Sequence, residues 1–235
     1  MGTEEEAVSL WTTGFCIGVT LGAYLLSRRL ARRYPSPLTT PVFFSATLII
    51  LILAQSGLRT ADYEPAQRIM VFLLGPATVS LAVPLYKNRQ TLLRNTLPAL
   101  LGLGVGSLVT LGAALLLARI LGLPEVIRAS ISIKSVTAPI AVELAPIIHG
   151  SQPLTVAFVI ATGMIGTMLG PWLMTITGIH DPLSRGLALG TISHGQGTAQ
   201  AVSEGELQGA AAGIAMGLAA IFTSCIAPVV VPMLR

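Results

Sequence analysis

Two short stretches hold most of the residues that could do chemistry in an otherwise apolar chain. The first is "KSVTAP", residues 134–139, where Lys134, Ser135 and Thr137 precede Pro139. The second is "SHGQGT", residues 193–198, where Gly195 and Gly197 flank Gln196, with Ser193 and His194 before and Thr198 after. An ammonium group, hydroxyls, an amide and an imidazole suit the binding of a small anion. A lysine at membrane depth costs ~2.5–3.5 kcal/mol on insertion scales, so it usually pairs or lines a substrate path. Glycine lets the backbone bend and lets a ligand approach closely. A half-helix starting near Gly197–Thr198 would point free N–H groups at an anion. His194 could hold a carboxylate or carry a proton, since an unperturbed imidazole titrates near neutrality. Each stretch also has a structural reading. Lys134 could pair with Glu143, the only acid between Glu125 and Asp181, or snorkel to the interface. The 193–198 hydroxyls could make the polar helix–helix contacts common in membranes.

Other chemistries find little support. There is no Walker loop and no GxSxG elbow, and Glu204 and Glu206 lie ten and twelve residues beyond His194, where they suit a helix N-terminus. His149 and His180 sit at loop ends without a partner at metal-ligand spacing. Cys16 and Cys225 both lie in apolar runs and read as buried, inert thiols. The sequence therefore predicts neither an enzyme nor a metal or cofactor site.

The elements that must position these groups are membrane segments. Of 235 residues, 53% are hydrophobic and 10% charged, against roughly 25% charged in soluble domains, and mean hydropathy is +0.78. The net charge of +4 does not point to nucleic acid, because the arginines cluster at the ends of apolar runs. "MGTEEE" is acidic where a cleavable signal would be basic, and Glu6 occupies the position a myristoylation motif gives to Ser or Thr. Runs of ~20 apolar residues suffice to span a bilayer. They fall at 7–27, 38–57, 69–86, 96–118, 153–179 and 207–234, with weaker segments at 124–149 and 183–203. The expected fold is all-α and polytopic, a single integral membrane domain over 1–235 with eight segments, or seven if a weak one is re-entrant. The basic runs at 28–33 and 87–94 set the cytoplasmic side and place the N-terminus outside. Counting every segment as a crossing then puts 149–153 inside and His180–Asp181 outside.

Proline and glycine interrupt these segments. "PATVSLAVP" (76–84) and "APIAVELAP" (138–146) are apolar nonamers bracketed by prolines, and "GLPEVIRASISIKS" (122–135) pairs with "GIHDPLSRGLALGTIS" (178–193). Chance likeness of apolar segments competes with an internal repeat of about sixty residues, the pattern from which many transporters are built. A proline inside a span frees a carbonyl, tolerated only where protein or water satisfies it. Pro76, Thr78, Pro84, Pro139 and Glu143 are accordingly expected along an interior cavity, although a bland packing kink explains Pro76 and Pro84 equally well.

At these residues the chain resembles a known family. "LGPATVSLAVPLYK" (74–87), "KSVTAPIA" (134–141), "TGMIGTMLGP" (162–171) and "SHGQGTAQA" (193–201) together look like the LrgB/CidB-like membrane proteins, to which the plastidic glycolate/glycerate translocator is related. The resemblance covers roughly 65–234. It implies one of two activities in the cell membrane. One is carriage of small monocarboxylates such as glycolate, glycerate or pyruvate. The other is holin/antiholin-like regulation of murein hydrolase export and cell lysis, with a small LrgA/CidA-like membrane partner. The amide of Gln196 departs from the bulkier apolar residue the family pattern suggests there. Eight segments, repeated breaks and two polar islands favour the carrier, expected as a homodimer by analogy with elevator-type carriers, with possible proton coupling. A shared site requires 134–139 and 191–198 to meet near the bilayer centre.

Overall fold

The computed structural model describes residues 2–34 and 36–233, apart from the side chains of residues 2–9, Leu74 and Thr78. The described residues form helices and no strand. In chain order these are α1 (Gly2–Arg33), α2 (Pro41–Ser56), α3 (Thr60–Ser80), α4 (Ala82–Lys87), α5 (Arg89–Arg94), α6 (Thr96–Ile120), α7 (Glu125–Ser132), α8 (Ala138–Ile147), α9 (Gln152–Ile176), α10 (Pro182–Glu204) and α11 (Glu206–Met233). Among the described residues, five stretches are long and apolar enough to cross a membrane: Leu10–Arg33, Thr60–Lys87, Thr96–Ile120, Gln152–Ile176 and Glu206–Met233. α2 is uncharged but has only 16 residues, about 24 Å at 1.5 Å per residue.

The chain divides into two compact units, 1–80 and 81–235. In the first, α1 packs on α2 and α3, and the Thr20 hydroxyl meets the Tyr63 hydroxyl at 2.8 Å. In the second, α6, α9 and α11 form the frame, with buried clusters around Leu111, Ile133, Val159 and Ala220 and around Leu103, Ala215 and Ala219.

The two weak segments are hairpins. α10 carries Arg185 near its start and Glu204 at its end. In a straight helix nineteen residues would separate them by about 28 Å. Arg185 Nε instead donates to Glu204 Oε2 at 2.8 Å. The chain reverses at His194, whose backbone (φ 41°, ψ −129°) leaves the helix, and a Cβ on Gly197 would collide with the Leu189 carbonyl. α7 and α8 reverse likewise. The Ser151 N–H, beyond the end of α8, donates to Ser130 Oγ of α7 at 2.8 Å. Eight-segment counting is therefore corrected: 124–149 and 183–203 enter and return at the same end. Arms of eight to twelve residues, about 12–18 Å, reach only partway through a ~30 Å hydrocarbon core.

This corrects the loop assignments too. Residues 149–151 stay at the end where α6 finishes. Lys87 binds Glu206 at 3.0 Å, and the adjacent Glu204 binds Arg185, so the basic 87–94 loop shares its end with the start of α10. His180–Asp181 therefore lies with the 87–94 loop, and 149–153 lies at the other end.

The hairpins also define a repeat. α6 and α9 both finish in a left-handed glycine, Gly122 (φ 66°) and Gly178 (φ 76°). Each has the same closing bond one residue later, Leu123 N–H to the Ala118 carbonyl (3.0 Å) and Ile179 N–H to the Met174 carbonyl (2.7 Å). This is the helix-ending geometry glycine permits. A hairpin follows each. Since α9 joins the base of one hairpin to the base of the other, the hairpins enter from opposite ends. Helix plus hairpin thus recurs with inverted direction. The proline-bracketed nonamers do not correspond structurally: 76–84 runs from α3 into α4 within one long span, whereas 138–146 is a hairpin's returning arm.

Candidate functional site

The face of α9 carrying Thr155, Val159, Gly163 and Gly166 is the surface on which the hairpins converge. These residues fall at helical spacing, so they line one stripe. On one side, α7 and α8 pack on α9, and Val159 shares a buried cluster with Ile133 and Val136, which flank Lys134–Ser135. On the other, His194 Nε2 lies 3.0 Å from the Val159 carbonyl. Val159 thus belongs to the cluster that holds the first tip and meets the second through its carbonyl.

α9 receives the second tip because it is bare there. A Cβ on Gly163 would sit 2.5 Å from Gln196 Oε1 and 2.8 Å from His194 Cε1, and one on Gly166 would overlap Ser193 Oγ. Ser193, His194, Gly197 and Thr198 are buried, Gln196 is half-buried and Gly195 is exposed. Thr198 Oγ1 donates to the His194 carbonyl at 2.9 Å and bridges the reversal. The positive φ of His194, uncommon for a non-glycine residue, is held by that bond and by the contact with Val159. The second arm starts at Gly195, two residues before the Gly197–Thr198 start suggested by the spacing.

The first tip runs through Ile133–Thr137. Lys134 and Thr137 are half-buried, and Thr137 caps α8 with its backbone in an extended conformation but makes no side-chain capping bond. Pro139 lies in the first turn of α8, where its missing N–H costs nothing, so it opens the helix and does not interrupt it. Glu143 is exposed and, among the described residues, forms no ion pair with Lys134. Ser135 Oγ of the first tip and Gln196 Oε1 of the second are buried with no hydrogen-bond partner, as is Thr155 Oγ1 one turn before Val159 on α9. Buried polar atoms normally find partners, so orphans beside a break mark a place where a ligand or water completes the bonding.

The remaining expected cavity residues lie elsewhere or outside what is described. Pro84 is on α4, within a turn of Lys87, and its carbonyl accepts from Asn88. Pro76 is exposed within α3 of the first unit, and the Thr78 side chain is outside the described residues. Sequence reasoning missed the glycine floor and the Val159 carbonyl. The glycines at 163, 166 and 170 carried a usable signal, since small residues at helical spacing mark close helix approach in membranes.

The arrangement can hold a small anion. Both returning arms, α8 and the second arm of α10, begin at the tips, so each brings the positive end of its helix dipole there. Lys134 adds a full charge.

Comparison with known proteins agrees in coverage. The LrgB-like family model matches residues 20–233. The uncharacterized protein YxaC of Bacillus subtilis is 34% identical over 213 residues, 91% of this chain and 93% of its own length. YwbG of the same organism is 32% identical over 210 residues, 89% and 93% respectively. Holin-like protein CidB of Staphylococcus aureus is 29% identical over 213 residues, again 91% and 93%. No solved structure matches. With a family match across nearly the whole chain and two relatives above 30% identity, the chain belongs to the LrgB-like family of membrane proteins.

Proposed function

We propose that this protein is a secondary carrier of small monocarboxylates of the glycolate, glycerate or pyruvate class, working as a homodimer in the cell membrane with its N-terminus outside. One observation carries the reading: two half-membrane hairpins enter from opposite ends and pack on α9, where Val159 shares a buried cluster with one tip and meets the other through its carbonyl. Discontinuous helices meeting at mid-depth in an inverted repeat are the recurrent plan of secondary transporters. In this reading Lys134, Ser135 and Thr137 hold the carboxylate from one tip, and Ser193, Gln196 and Thr198 hold it from the other. His194 carries the coupling proton.

Purified protein in liposomes tests this. The expected result is saturable counterflow of at least one of the three acids, accelerated by an inward proton gradient. Absence of both counterflow and proton-driven uptake for all three would overturn the substrate class.

The name of the Staphylococcus relatives, holin-like protein, favours a second reading. A holin-like protein regulating murein hydrolase export and cell lysis, with a small LrgA/CidA-like partner, would leak a neutral dye without saturation. Saturable, stereoselective uptake without dye leakage would exclude it.

A further inference from the structure

A cavity of about 270 Å³ lies in the second unit, beside the basic 87–94 segment. Its walls are apolar, with Leu92 of α5, Ala99 and Leu103 of α6, Leu187 of the second hairpin, and Ile214 and Leu218 of α11. Among the described residues, Thr96 and Arg89 supply its only polar and charged side chains. Leu93 and Leu100, which also line it, are 72% and 45% exposed, so the chamber reaches the surface.

The charge beside the chamber is one-sided. Lys87, Arg89 and Arg94 fall within eight residues. The acid recorded against them is Glu206, taken by Lys87 at 3.0 Å. Arg89 uses one N–H on the Tyr86 carbonyl (2.9 Å) and stacks over the Tyr86 ring at 4.2 Å. Its remaining donors have no carboxylate partner among the described residues, and neither has Arg94. An apolar chamber with a guanidinium in its wall fits an amphiphile: a hydrocarbon chain inside and an anionic headgroup on the guanidinium. Basic pockets between membrane helices bind anionic lipid headgroups on these grounds.

We infer that this chamber is a binding site for an anionic phospholipid, one acyl chain between α5, α6 and α11 and the headgroup on Arg89. The lipid would touch the second hairpin directly. Leu187 lies two residues beyond Arg185, which fastens the two arms of the second hairpin, and Gly186 packs against Gln208 and Ala211 of α11. An occupied chamber therefore braces the base of that hairpin. The inference does not rest on the carrier reading and can fail independently of it.

The test is native mass spectrometry of the full-length protein released from bilayers of equal phosphatidylcholine and phosphatidylglycerol, with oleate added in a parallel arm. Wild type is expected to retain one phosphatidylglycerol per chain in preference to phosphatidylcholine. Arg89→Gln should weaken that retention about fivefold, the equivalent of ~1 kcal/mol per basic residue at an anionic surface. Ala99→Trp should abolish it by filling the chamber, and Arg119→Gln, at the far end of α6, should leave it unchanged. Equal retention of both phospholipids, wild-type retention by Ala99→Trp, or displacement of the phospholipid by equimolar oleate would each overturn the assignment. A changed oligomeric state of Ala99→Trp with unchanged lipid retention would also overturn it, because a second copy would then fill the chamber.

Discussion

Two residues on opposite sides of the site carry different burdens. Gly163 gives the second hairpin its floor. A methyl group there would sit 2.5 Å from Gln196 Oε1 and 2.8 Å from His194 Cε1, and the His194 ring is held at the reversal by its contact with the Val159 carbonyl. At Gly170 the nearest atom would be the flexible tip of Leu189, at 3.2 Å. Uptake assays should therefore show Gly163→Ala losing at least tenfold in activity, a barrier change of ~1.4 kcal/mol, with Gly170→Ala close to wild type. Equal behaviour of the two would remove Gly163 from the site. Lys134 and Arg185 separate in the same way. Lys134 has no carboxylate partner among the described residues, whereas Arg185 makes five hydrogen bonds, to Glu204, Thr175, Ile179 and Pro171. Lys134→Ala should raise the KM for the acid and leave thermal stability near wild type. Arg185→Ala should lower stability first, with a smaller effect on KM. The residue types at both tips were legible from the sequence because ammonium and hydroxyl groups stand out in an apolar chain. The spacing of Gly163, Gly166 and Gly170 signalled a close helix approach, but the partners of Gly163, Gln196 and His194, were not legible because nothing in the sequence pairs residues so far apart.

Among the elements, the second hairpin depends on its two ends. The Arg185–Glu204 pair is bidentate and largely buried, its side chains 12% and 16% exposed. Removing one partner of such a pair leaves an uncompensated charge and costs ~3–5 kcal/mol. Thermal melting in detergent should show Glu204→Gln markedly less stable than wild type, and an unchanged melting temperature would mean the hairpin is held by other contacts. The start of α10 is capped by Asp181, which accepts from the Ser184 N–H (2.8 Å) and Ser184 Oγ (2.7 Å). These bonds hold its carboxyl below the usual carboxylate range. A depressed folded-state pKa means this stabilisation is complete above the ordinary value of about 3.9 and is lost as pH falls through the folded one. Asp181→Ala should therefore cost ~1 kcal/mol at neutral pH, and the difference from wild type should vanish in strong acid. Sequence periodicity identified 124–149 and 183–203 as weak and allowed a re-entrant course. It could not choose that course, because the deciding contacts join residues nineteen and twenty-one apart, Arg185 with Glu204 and Ser130 with Ser151. In a straight helix such pairs never meet.

At the scale of the whole molecule, the central claim is an inverted pair of helix-plus-hairpin units whose tips share α9. The similarity of 122–135 to 178–193 was visible in the sequence, but likeness of residues carries no direction. The direction appears only when each hairpin returns to its own end. Sided labelling of single cysteines, in a Cys16→Ser, Cys225→Ser background, tests this most directly. Leu123→Cys and Ser151→Cys flank the first hairpin, and His180→Cys and Ser203→Cys flank the second. With a membrane-impermeant maleimide applied to sealed right-side-out and inverted vesicles, the first pair is expected to react from one face only and the second pair from the opposite face only. Labelling of Leu123→Cys and Ser151→Cys from opposite faces, or of His180→Cys and Ser203→Cys from opposite faces, would make those segments full crossings and contradict the paired hairpins.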